Sequence, residues 1–269
     1  TTEWEINNAL SPWTSSLDFN SNSYLSGASS ISPTSQLTLS AWVNMDPHSG
    51  GTGSNELPMV FSKLKSGTGP ASGEGGFGLF YLGGFTFRLN EGSSQGAQIT
   101  SNVANTLNTW EHIAVTYNGS NMKIFVNGIL RAINSYSQAI GETSSQTLGV
   151  GVATNLTYGE FPGKISNAQI WYSALTDGST TTLGNTAGGE VAALYNSGAP
   201  LQALASIPQN SNLKAWWQMN NLTTGIQDSS NNNNNITNSG AVEAVGSVST
   251  LNGTSSGMTQ ANLVQSDLS

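Results

Sequence analysis

With 269 residues, 8% of them charged and 36% hydrophobic, the chain is built largely from small polar residues, yet seven Trp, seven Tyr and eight Phe suffice for a core and exclude charge-driven disorder. A net charge of −8 with only seven Lys and Arg leaves no electrostatic footprint for nucleic acid, and no apolar run approaches the ~20 residues of a membrane helix. Cysteine is absent, which excludes disulfides and thiolate chemistry.

Short runs with a period of two recur between turn clusters, which is the rhythm of a β-sandwich. In chain order the expected strands are Ser16–Phe19, Tyr24–Leu25, Leu37–Met45, Met59–Lys65, Gly76–Leu82 and Phe85–Leu89, followed by Trp110–Tyr117, Lys123–Val126, Gln146–Val152 and Gly163–Tyr172. The Asp46–Pro58 and Ser66–Gly75 loops between them are long enough to carry function. Ala187, Val191, Leu194 and Tyr195 fall near helical spacing, so Thr186–Asn196 is expected to be a helix closed by Gly198 and Pro200. The best-defined stretch is Trp110–Gly128, W-E-H-I-A-V-T-Y-N-G-S-N-M-K-I-F-V-N-G. Ile113, Val115 and Tyr117 alternate with His112, Ala114 and Thr116, and Asn118-Gly119 offers the positive backbone angles of a hairpin turn.

The order of residues in that hairpin closely resembles the central hairpin of laminin-G-like jelly rolls, members of the concanavalin A-like lectin and glucanase superfamily. Three further segments carry the same resemblance. Ser16–Leu25 stands where the family has F-D-G-x-x-D-Y-V, and Leu37–Val43 (L-T-L-S-A-W-V) resembles its F-T-I-S-A-W-V strand. Gly163–Leu175 is similar to G-x-I-D-D-V-R-I-Y-N-x-A-L, the last core strand. The likeness runs from near Leu17 to Tyr195 and implies an all-β fold, a two-sheet antiparallel jelly-roll sandwich.

The segment after Leu201 resembles the strand and turn that normally open such a unit: Leu213–Met219 (L-K-A-W-W-Q-M), then Asp228 and its Asn run. It either folds back to complete this sandwich, as a circular permutation would, or begins a further repeat or pairs with a neighbouring subunit. The first is favoured, because an exposed Trp216-Trp217 strand would be a severe edge liability and the ends of sandwiches commonly lie close together. A single domain is therefore expected over residues 1–245, with its core at 16–200 and a returning strand at about 213–219, followed by an extended tail or linker over 246–269. The Leu175–Gly184 and Val191–Gly198 segments, the Trp-Trp strand and the Asn run together look like structural proteins of marine tailed phages.

Glucanases of the superfamily carry an acidic strand motif that aims two carboxylates into a cleft. No such motif occurs here: the fifteen Asp and Glu are scattered, Glu3 and Glu5 being the closest spaced pair, so no catalytic residues are expected. His112 falls in the hairpin and reads as a packed residue, and His48 beside Asp46 as a surface one. No cofactor is expected, calcium being the open case. Asp18 matches the family's early-strand Asp and Asn20 could add an oxygen, but Ser166-Asn167 stands where relatives place an acidic pair. For carbohydrate, aromatic faces are the requirement, and Tyr158 and Phe161 in the Tyr158–Phe161 loop are the candidates. Trp42, Trp110, Trp171, Trp216 and Trp217 are expected to pack inside.

The resemblance implies a non-enzymatic structural or adhesion module at a virion surface (fibre, appendage or decoration protein), with other virion proteins or copies of itself as partners. The alternative is a lectin-like module recognising host-surface glycans, secreted or on a bacterial cell surface. A glycoside hydrolase is the third reading. Neither nucleic acid nor membrane insertion is expected.

Overall fold

The period-two runs condense into two antiparallel sheets in a computed structural model, which describes residues 15–245 apart from 21, 48–56, 65–74, 92–95, 142, 144–145, 155, 157–158 and 209. Eight strands form the first sheet: β1 (Ser15–Phe19), β3 (Leu37–Met45), β8 (Trp110–Tyr117), β9 (Asn121–Val126), β10 (Ile129–Ser135), β12 (Gly163–Trp171), β13 (Leu213–Trp217) and β15 (Val242–Val245). Seven form the second: β2 (Tyr24–Gly27), β4 (Met59–Leu64), β5 (Gly76–Tyr81), β6 (Phe85–Asn90), β7 (Ala97–Thr100), β11 (Leu148–Val150) and β14 (Ile236–Ser239). The first sheet runs β10-β9-β8-β3-β12-β1-β15, with β13 also on β12, and the second runs β14-β2-β11-β4-β5-β6-β7. This is the jelly-roll sandwich the sequence implies.

Alternation decides what enters the space between the sheets. On β3, Leu37, Leu39, Ala41, Val43 and Met45 face inward, where they join Phe77, Leu79, Phe85, Phe87 and Leu89 from the second sheet. Each large apolar side chain removed from water this way contributes about 1.5–3 kcal/mol. The expected Trp110–Gly128 hairpin forms with Ile113↔Val126 and Tyr117↔Met122 in register. Its Asn118 Oδ1 accepts the backbone N–H groups of Ser120 and Asn121, holding the turn.

The C-terminal segment does fold back. Strand β13 pairs with β12 through Ala168↔Trp217 and Gln169↔Trp216, while β1 takes the other half of the same β12 edge through Leu17↔Ile165. Between the halves β12 bulges after Ser166, with Asn167 at φ 53°, a left-handed angle that Asn tolerates better than most residues. The adjacent indoles of β13 point to opposite faces. Trp217 enters the main core and donates from Nε1 to Asn234 O at 2.9 Å, whereas Trp216 lies on the outer side and donates to Asn167 Oδ1 at 3.1 Å. The Asp228 turn is an ordered knot: its carboxylate accepts the N–H groups of Trp216, Ser230 and Asn234.

Four strands were not anticipated. β7, β14 and β15 have four residues each, too few for a period to register, and β10 turns mostly polar or exposed after Leu130 and Ala132. The helix α1 (Gly189–Tyr195) is shorter than the spacing suggests, and Asn196 ends it in a left-handed conformation at φ 45°. Among the described residues, no helix is long and apolar enough to cross a membrane.

Candidate functional site

Of the two residues expected to hold calcium, Asp18 has its carboxylate near an ammonium and Asn20 has its backbone bonded. Asp18 lies on β1 opposite Lys164, whose Nζ is 3.5 Å from Asp18 and 4.0 Å from Asp46. An ammonium therefore already supplies positive charge where a cation would need carboxylates. Asn20 uses its backbone on Ser23: its N–H donates to Ser23 Oγ at 2.7 Å, and its carbonyl accepts the Ser23 hydroxyl at 2.8 Å. Among the described residues, no group of three or more His, Cys, Asp or Glu could hold a metal ion. At the bulge, Asn167 donates from Nδ2 to Leu201 O, while its Oδ1 accepts from Gln169 and Trp216, so amides tie the chain together where relatives carry acids.

Phe161 is fully buried in the main core, and a ring without an exposed face has none to offer a sugar. Tyr158, His48, Glu3, Glu5 and the tail over 246–269 lie outside the described residues. Trp42, Trp171, Trp216 and Trp217 are buried, while Trp110 is half-buried at the start of its strand.

The outer side of the eight-stranded sheet is closed by the chain between β12 and β13. Leu175, Ala187, Val191, Leu194, Leu201 and Ile207 pack on Ala114, Phe125, Leu130, Trp171 and Trp216. Lys123 fastens this cover, with Nζ 2.5 Å from Asp177 Oδ2 and 2.7 Å from Thr180 O. Beneath it, His112 is bracketed by the rings of Trp42 and Tyr195, with centroids at 5.0 and 6.1 Å. Its Nε2 lies 2.8 Å from Ser40 Oγ, and its buried Nδ1 has no partner. Leaving a bare acceptor unpaired costs less than stranding an N–H, so the proton belongs on Nε2. Burial pushes the imidazole down to about 3, which keeps it neutral and structural.

Two acids are buried among the described residues, Glu111 and Asp177. Glu111 begins β8 and accepts the Thr106 N–H at 3.1 Å; burial raises its carboxyl, opposed by that hydrogen bond and by Arg131. Asp177 lies over the far end of the same strand, since its partner Lys123 is registered against Thr116. Five residues of strand separate the two, roughly 16 Å. That is too far for a nucleophile and an acid to act on one glycosidic bond.

The outer side of the seven-stranded sheet has a different chemistry. A cross-strand row runs Ser26, Gly149, Ser62, Gly78, Arg88 and Gln98, so Arg88 stands beside small residues and a polar edge. A methyl group built on Gly78 would make only ordinary contacts, at 3.6 Å to Leu64 and 3.7 Å to Phe80. Gly78 is itself buried there, between the side chains of Leu64 and Phe80. Leu57, Met59, Phe80 and Ala153 form a small buried apolar cluster, and the buried Ser62 and Thr154 hydroxyls bond to one another at 2.9 Å. Toward β7, Thr86 and Thr100 hydroxyls meet at 2.9 Å, and Gln98 and Thr100 are exposed.

Arg88 is 7% exposed. Its Nε donates to Asn90 Oδ1 at 3.1 Å, and the Nδ2 of that wholly buried Asn90 has no partner. Burial alone lowers the guanidinium's pKa, with no carboxylate contributing. In the sequence, Phe85-Thr-Phe-Arg-Leu-Asn90 reads as a strand with an arginine aimed at solvent, and nothing in the pattern announces that this arginine is covered.

Residues 19–179 match the family model of concanavalin A-like lectins and glucanases of the laminin-G type. Among curated proteins none matches. A Bacteroides ovatus protein, described provisionally as carbohydrate binding, has a similar fold (TM-score 0.58, 17% identity) over 86% of this chain and 60% of its own length. The chain thus spans three fifths of that protein. Lower similarity extends to the sialidase CBM40 module of Ruminococcus gnavus bound to α2,3-sialyllactose (TM-score 0.41, 16% identity, 54% of this chain and 79% of the other). It extends also to mouse laminin α1 domains LG4-5 (0.45, 11% identity, 66% and 46%). At such identities the likeness is one of fold.

Proposed function

The chain belongs to the concanavalin A-like lectin and glucanase superfamily, and from that premise we propose that it is a carbohydrate-binding, lectin-like module acting at a cell or particle surface. The observation that carries this reading is the outer side of the seven-stranded sheet. There Gln98 and Thr100 on the edge strand β7 are exposed, with Arg88, Asn90 and the apolar cluster containing Phe80 buried behind them. The exposed amide and hydroxyl of that edge are polar groups of the kind a sugar's hydroxyls need. The opposite side of the sandwich is covered by apolar packing. The carbohydrate-binding description of the Bacteroides ovatus protein points the same way.

Exposure on a phage virion, as a fibre, appendage or decoration protein, is the second reading. It draws on the sequence likeness of the segments after Leu175, and neither the fold nor the similar structures add to it. A glycan array probed with the protein displayed multivalently separates the two. Saturable binding to a restricted set of glycans is the expected result. Absence of binding to every glycan, together with self-assembly through faces burying well over ~1,000 Å², would transfer support to the virion reading.

A further inference from the structure

We propose that Asn118, in the turn between β8 and β9, is a modification site at which the chain deamidates itself, with water as co-reactant. The turn sets the parts of that chemistry in place. Asn118 Oδ1 accepts the backbone N–H groups of Ser120 at 2.9 Å and Asn121 at 2.8 Å. When the Gly119 nitrogen attacks Asn118 Cγ, that oxygen gains negative charge, and two donors already aimed at it act as an oxyanion hole. The nucleophile is open: Gly119 has no side chain, and a Cβ built there would meet Ser35 O only at an ordinary 3.7 Å. The leaving end is open too, since Asn118 is exposed and among the described residues its Nδ2 donates to no partner. The N–Cγ bond forms as the Gly119 proton passes to solvent; the Cγ–Nδ2 bond then breaks, and Nδ2 takes up a proton and departs as ammonia. Water opens the resulting cyclic imide at either carbonyl, leaving aspartate, or isoaspartate where the main chain runs through Cγ. The net change is amide plus water to carboxylate plus ammonium, and isoaspartate lengthens the main chain between the two strands by a carbon.

The next turn along the chain is an internal control. Asn127-Gly128 repeats the dipeptide, but there the carboxamide oxygen accepts, among the described residues, the His112 N–H alone, at 2.8 Å. Gly128 is also covered: a Cβ built on it would come within 3.1 Å of the Tyr195 ring, and its carbonyl accepts the Ala187 N–H at 2.7 Å. The dipeptide alone would make the two sites equal; the fold makes them different. The test ages the intact protein in heavy-oxygen water at neutral and mildly alkaline pH, native and unfolded in guanidinium chloride, and follows each asparagine by peptide mapping with mass spectrometry. Native Asn118 is expected to convert at least tenfold faster than native Asn127 and no more slowly than in the unfolded chain. The heavy oxygen should enter the new carboxylate, with aspartate and isoaspartate both present and the rate rising with pH. Native Asn127 should convert at least tenfold more slowly than in the unfolded chain. No substitution is involved, so the folding of a variant is not at issue. Protection of Asn118 by folding as strong as that of Asn127 would overturn the assignment, as would aspartate formed without isoaspartate. Either result leaves the lectin reading in place.

Discussion

The two outer faces of the sandwich are built from the same alternation and meet opposite fates. On the eight-stranded sheet the outward positions include Trp42, Ala114, Trp171 and Trp216, and residues from Leu175 to Ile207 supply the apolar partners that cover them. On the seven-stranded sheet the outward positions of β4 to β6 are Ser62, Gly78, Thr86, Arg88 and Asn90, and the apolar contribution is a small bank at one side. Strand pattern alone thus separates inside from outside, while the chemistry of the outward half decides whether its buried layer is apolar or polar. The apolar cover serves stability, and on the reading proposed above recognition falls to the exposed edge at Gln98 and Thr100.

That contrast can be broken most forcefully at Trp216. Truncation to Ala should destabilise the protein by about 3–5 kcal/mol in urea unfolding, since it empties the space between β13 and the cover. A loss below about 1 kcal/mol would mean the cover packs only loosely. Glycan affinity of the folded fraction should be unchanged, because the indole lies on the opposite side of the sandwich.

The covered face should also make the protein sensitive to acid. His112 is held neutral with its pKa lowered to about 3, whereas an unfolded histidine titrates near 6.5. Between those values the unfolded chain binds a proton that the native one does not, so stability rises with pH there and falls on acidification. The contribution is about 1.4 kcal/mol for each pH unit below 6.5, ending near pH 3. Above pH 6.5 the residue contributes no pH dependence. Urea titrations at pH 7 and pH 5 should show the loss in the natural protein and a smaller one in His112→Asn, and identical slopes in the two would refute it.

Smaller effects sharpen the picture. Asp177→Ala strips the partner from Lys123, a pair whose side chains are only 13% and 11% exposed, and should cost about 2 kcal/mol by loosening the cover. Hydrogen exchange should then rise over residues 175–187 first; uniform exchange would show that the pair does not fasten this segment. Least is expected at Asp18, whose bond to Lys164 is 30% exposed on both sides. Asp18→Asn should change stability by about 1 kcal/mol or less. Added calcium should leave the melting temperature of the natural protein unmoved; a rise abolished by Asp18→Asn would restore a metal role.

The sandwich was legible because long strands announce themselves: Leu37–Met45, Trp110–Tyr117 and the following strand keep a strict period, with side chains of one kind on each parity. The return of Trp216 and Trp217 was legible too, since two indoles on a strand cannot both be left in water. Short edge strands such as Ala97–Thr100 were not, because Ile99 is the single buried residue of that strand, with only the small Ala97 beside it. The polar face escaped notice for a different reason. A lone Arg88 between Phe87 and Leu89 carries no mark of burial, which is set by what distant parts of the chain place over it, and Gly78 becomes its neighbour only through cross-strand register. Phe161 drew attention as an aromatic in a loop, and its tertiary position in the core was invisible locally.

The pairing of Ser15 with Val245 brings the first and last described strands together end to end. Any polypeptide flanking the sandwich on its two sides must leave from one spot, so the unit can sit as a side pendant on a longer chain without lengthening it. Tension drawn through both flanks would peel β1 from β15 one rung at a time instead of shearing all rungs together. Single-molecule stretching should therefore open this seam at low force, well before the layers beneath it yield.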